Sequence, residues 1–69
     1  MSEIIFLVNE SPEGGYSARA LDYSIFTDGD SIEAIKNNIR DAISCHFDLT
    51  ELPKIVRLHF VHDEVFSLA

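Results

Sequence analysis

"EIIFLV", residues 3–8, sets apolar side chains at every position from Ile4 to Val8. Successive side chains on a strand point to opposite faces, so a strand here is greasy on both sides. Such a strand belongs inside a sheet, not at a half-wet edge. Turn chemistry follows it. Ser11-Pro12-Glu13-Gly14 has serine first, proline second and glycine fourth, the pattern of a type I turn. Gly14 or Gly15 supplies the positive φ that commonly follows such a turn in a hairpin. Tyr16 to Leu21 alternates as a second strand, Asp22 punctuates it, and Tyr23 to Thr27 reads as a third that Asp28-Gly29 closes.

A helix comes next. Asp30 is a good N-cap with Glu33 three residues on, the capping-box spacing; capping by Ser31 instead moves the start by one residue. Apolar residues at 32, 35, 39, 42, 43 and 47 fall on one stripe, while Glu33, Lys36, Asn37, Arg40, Asp41 and Ser44 take the wet side. Asp48 and the loop from Leu49 to Pro53 end it, because a residue before proline resists helical geometry. Ile55 to Val61 is the fourth strand, with Val56, Leu58 and Phe60 on one face and Ile55, Arg57, His59 and Val61 on the other. The tail from Asp63 to Ala69 fits a short strand, a helical turn or a contact with another subunit.

The order β-β-β-α-β makes one domain over residues 1–69, of α+β class. Two hairpins set strand three parallel to strand one, and a right-handed crossover through the helix returns strand four parallel to both. Placing strand four beside strand one gives a four-stranded mixed sheet of order 3-2-1-4 with the doubly apolar strand central and one helix on one face.

The totals bound the function. Twelve acidic residues against five basic ones give a formal charge of −7, which repels phosphate backbones and leaves direct nucleic-acid binding unexpected. A basic protein partner is drawn to such a surface instead. The single cysteine, Cys45, excludes an internal disulfide. With no apolar stretch of signal-peptide or membrane-spanning length, the expectation is a cytoplasmic protein away from membranes.

One helix covers only one face of a sheet. If Val56, Leu58 and Phe60 pack on it, the opposite face presents aliphatics from strands one and four. Each is worth about 1.5–3 kcal/mol when buried. The expectation is a homodimer or higher homo-oligomer, or a partner protein, docked on that face, with Ile55, Arg57, His59 and Val61 as the contact residues; the alternative is that the tail folds over part of it. A histidine at a subunit contact makes assembly pH-sensitive, an idea that a constant oligomeric mass between about pH 5 and about pH 8 removes.

Cys45, His46, His59 and His62 are of zinc-ligating type, but their spacing argues against a site. His59 and His62 point to opposite faces of a strand, and Cys45 and His46 lie about 100° apart on a helix. No metal, cofactor or catalytic residue is expected. Cys45 or His46 borders the core, and His59 lies at the uncovered face.

Two motifs add a resemblance. "PEGGYSARA" and then "FTDGDSIEAIKNNIRDAI" resemble the HicB-like antitoxin family, through Glu13, Gly14, Gly15, Tyr16 and Ala18, then Thr27, Gly29, Asp30, Ser31, Glu33 and Ala34, with Ala42 closing the match. The likeness covers about residues 3–62. It departs from the family where Leu21-Asp22-Tyr23 stands in place of a Pro-Gly turn. The resemblance implies a degraded ribonuclease H-like core and a non-enzymatic role, binding and masking a small toxin ribonuclease. Family members usually carry a DNA-binding segment after this domain. These residues carry none, so a stand-alone short member is expected, without self-repression through DNA. A second reading is a small regulatory or ligand-sensing subunit acting as a homo-oligomer. The third is a vestigial metal-dependent nuclease, which needs converging carboxylates; Glu10, Glu33 and Asp63 are the candidates, and solvated surface acids explain them better.

Overall fold

The computed structural model describes residues 3–68. Met1, Ser2 and Ala69, which fall within the expected domain and tail, lie outside the described residues. Strands β1 (Glu3–Glu10), β2 (Tyr16–Ala20) and β3 (Phe26–Gly29) precede helix α1 (Ile32–His46), a single 3-10 turn (Leu49–Glu51) and strand β4 (Ile55–Val61). The fold is α+β: a four-stranded mixed sheet of order β3-β2-β1-β4 with one helix. β1 pairs antiparallel with β2 and parallel with β4, and β2 pairs antiparallel with β3. The doubly apolar stretch is therefore interior, as its composition requires.

The first hairpin closes as its residues dictate. The Gly14 N–H donates to the Ser11 carbonyl at 3.0 Å, and the Ser11 N–H donates to the Gly15 carbonyl at 2.9 Å. Gly14 and Gly15 both take positive φ, 98° and 83°.

The third strand differs from the sequence reading. It begins at Phe26, opposite Arg19, and runs through Asp28 to Gly29. The Ala20 N–H donates to the Ile25 carbonyl at 3.0 Å, so the chain reverses over residues 21–24 and cannot yet pair. Tyr23 instead turns its ring onto Phe47, with centroids 5.0 Å apart. Gly29 stays in the ladder because it has no side chain: a Cβ there would meet the Ile35 nitrogen at 2.7 Å. At the helix start the cap is Ser31, not Asp30. Its hydroxyl accepts from the Ala34 N–H at 3.0 Å, and its backbone is extended.

The core joins Ile4, Phe6 and Val8 of β1 and Ala18 and Ala20 of β2 to Ile25 and to Ile35, Ile39 and Ile43 of α1. Ile35, Ile39 and Ile43 lie on the expected helical stripe, whereas Ile32 of that stripe is exposed, and alternation alone does not decide between the Ile4, Phe6, Val8 face of β1 and the Ile5, Leu7 face. A helix about 10 Å across spans roughly two strands spaced about 4.8 Å. The α1 backbone comes closest to β2 and β3, where Ala18, Ala20 and Gly29 leave room for it to sink, while its apolar stripe also packs with Ile4, Phe6 and Val8 of β1. β4 is consequently left aside. Leu58 packs against the core, but Val56 is 39% and Phe60 48% exposed, so the expected packing of all three on the helix is met in part. The Phe60 ring finds Tyr16 instead, edge to face at 6.3 Å.

Residues 62–68 form neither strand nor helix. Val65, Phe66 and Leu68 are 92%, 79% and 96% exposed, so the tail does not fold over the open face of the sheet. Among the described residues no helix is long and apolar enough to cross a membrane.

Candidate interaction surface

Among the described residues β4 borders β1 on one side and no strand on the other. On the face away from α1, register sets Arg57 beside Ile5, His59 beside Leu7, and Val61 beside Asn9. The row through Leu7 continues to Arg19 of β2 and then to Phe26 of β3. Ile55, Arg57 and His59 are exposed, while Val61, Ile5 and Leu7 are half-buried by their neighbours. Chain alternation thus gathers Ile55, Arg57, His59 and Val61 on one open face. The Arg57 guanidinium donates to Glu3 Oε2 from Nε at 3.1 Å and from Nη2 at 2.9 Å. The Arg57 side chain keeps 63% of its surface in solvent. An ion pair that wet contributes at most about 1 kcal/mol, so it orients the guanidinium more than it stabilises the fold.

On the face toward α1 the strand borders a groove of about 340 Å³ lined by Lys36, Ile39, Arg40, Val56 and Leu58. Sequence reasoning placed Lys36 and Arg40 on the wet side of the helix and did not connect them with β4. The signal was the run of small residues at 18, 20 and 29, which draws the helix away from the fourth strand.

The other candidate side chains are scattered. Glu10 ends β1, Glu33 lies in the first turn of α1, and Asp63 follows β4. Cys45 is exposed. His46 stacks edge to face on Tyr23 at 5.8 Å and on Phe47 at 4.9 Å, bordering the core as expected. Among the described residues no three His, Cys, Asp or Glu side chains are grouped so as to hold a metal ion.

Comparison with known proteins places the chain. A UPF0150 protein of Thermotoga maritima is 48% identical over 66 residues, covering 96% of this chain and 93% of the relative. The chain belongs to the UPF0150 family. A second UPF0150 protein, from Archaeoglobus fulgidus, is 50% identical over 52 residues, 75% of this chain and 77% of that one. No protein-family model matches this UPF0150 chain, and no solved structure does.

Proposed function

We propose that this UPF0150 chain is a non-enzymatic protein-binding module of HicB-like type that docks other proteins through β4. The observation that supports this is the state of that strand. Among the described residues β4 is seven residues long, mostly apolar, half-buried or partly exposed along both faces, and unpaired along its outer edge. An open edge with apolar side chains is a template for another chain, and natural proteins normally blunt it. Here Arg57 and His59 interrupt the apolar pattern on one face only. The open face holds Ile55, Arg57, His59 and Val61 as contact residues for a second protein. The charge of −7 favours a small basic protein as that second protein, because complementary charge speeds encounter. The resemblance of the Gly-Gly-Tyr hairpin and the helix-opening motif to HicB-like antitoxins points the same way, toward masking of a small basic ribonuclease.

The test is affinity capture from the native cell with the intact chain as bait, read by mass spectrometry. The wild type is expected to retain a small basic protein near one-to-one. An Ile55→Asp, Val61→Asp variant with unchanged circular dichroism is expected to lose it. Equal recovery by both baits, or no protein held by either, defeats the reading.

A further inference from the structure

The groove between α1 and β4 is matched in chemistry by a segment of the same chain that cannot readily reach it. Its floor is aliphatic, from Ile39, Val56 and Leu58, and its rim carries Lys36 and Arg40. Neither cation forms an ion pair among the described residues. The Arg40 guanidinium donates to Asn37 Oδ1 at 2.7 Å, a neutral partner. In a chain with twelve acids and five bases, two uncompensated cations on one rim form a local attraction for carboxylate.

Residues 62–68 supply the complement. In an extended segment alternate side chains share a face, which sets Glu64, Phe66 and Leu68 together. That face presents one carboxylate and two large apolar groups to a groove that presents two cations and an aliphatic floor. The apolar groups are almost wholly in water as the chain stands.

The segment does not return to its own groove. The molecule measures 56 Å along its longest axis against 20 and 17 Å across, and its radius of gyration is 13.9 Å. A compact chain of this length has a radius of gyration of about 11 Å. The excess length accords with residues 62–68 running on beyond β4. Turning back onto Val56 and Leu58 requires a reversal at His62-Asp63-Glu64, which lacks the glycine that tight hairpin turns favour.

The geometry points to segment exchange between two copies of this chain: residues 62–68 of one copy lie along the β4 edge of the other. There Glu64 meets Lys36 and Arg40, and Phe66 and Leu68 cover Val56 and Leu58. Seven extended residues reach about 23 Å, enough to cross to a neighbour and run along its strand. Two-fold symmetry lets each copy give one segment and receive one, which closes the assembly at two. The exchange and the proposed partner contact both border the outer edge of β4 and differ in face: the exchange takes the helix side, with Val56 and Leu58, and the partner contact the side of Ile55, Arg57, His59 and Val61.

Sedimentation of the intact chain at micromolar concentration tests this. The wild type is expected to run as a dimer of the 7.8 kDa chain. Truncation after Val61 is expected to raise the dissociation constant at least tenfold with circular dichroism unchanged. Glu64→Lys alone, and Lys36→Glu with Arg40→Glu, are each expected to weaken self-association to the same degree. Mixing those two variants is expected to restore a dimer, because each then offers what the other lacks. A monomeric wild type, a dimer that survives truncation, or charge variants that fail to recover on mixing overturns the exchange. The truncated chain retains Ile55, Arg57, His59 and Val61, so loss of the dimer with retention of a captured basic protein separates this inference from the proposed function.

Discussion

At position 29 a hydrogen atom where other residues carry a methyl group sets how closely helix and sheet approach. A Cβ built there lies 2.7 Å from the Ile35 nitrogen and 3.0 Å from its Cα, contacts with backbone that has no flexible end to move aside. Gly29 is not among the glycines with positive φ, so space alone is at issue. Overpacking a close contact typically costs about 1–3 kcal/mol, and Gly29→Ala is expected to destabilise the fold by that amount in urea unfolding. A loss below about 0.5 kcal/mol would show that α1 shifts freely away from β3. Ile35, beside the contact, is fully buried, so such a shift would also open the core.

Helix α1 and strand β4 illustrate what an element carries by itself. The helix start rests on Ser31, whose hydroxyl takes the Ala34 N–H, while no capping bond involves the Asp30 side chain among the described residues. Ser31→Ala is therefore expected to cost about 1 kcal/mol. Asp30→Ala is expected to stay within about 0.5 kcal/mol of wild type. Equal losses in thermal unfolding would mean that both residues share the cap. The reading that put Asp30 first relied on its spacing to Glu33. Two adjacent cap-type residues offer two registers, and the chain takes the one that leaves Gly29 in the ladder against Ile35. For β4 the alternation correctly predicts which side chains share a face, since register pairs Phe6 with Leu58 and Val8 with Phe60 on the helix side. Alternation says nothing about how far the helix extends over them.

For the molecule as a whole, the segment after β4 lies outside the core. None of residues 62–68 belongs to the buried core. Truncation after Val61 is thus expected to leave the unfolding free energy within about 0.5 kcal/mol in dilute solution, where copies do not associate. In small-angle scattering the truncated chain is expected to show a radius of gyration of about 11 Å, against 13.9 Å for a single intact chain. A larger stability loss would mean that the segment packs on its own body. The sheet order, the central place of residues 3–8, the hairpin at Ser11 to Gly15 and the buried stripe Ile35, Ile39 and Ile43 follow from residue order alone. Side-chain period and turn chemistry are local properties, and a strand greasy on both sides admits few positions in a sheet. The start of β3, the choice of Ser31 as cap and the open groove beside Lys36 and Arg40 do not follow from it. The start of β3 is set by the reversal that the Ala20–Ile25 hydrogen bond closes, and the other two depend on where a rigid helix settles on a surface of unequal height. That seat is chosen by the combined bulk of Ala18, Ala20 and Gly29 against Ile4, Phe6 and Val8, residues far apart in sequence and compared only once the sheet has formed.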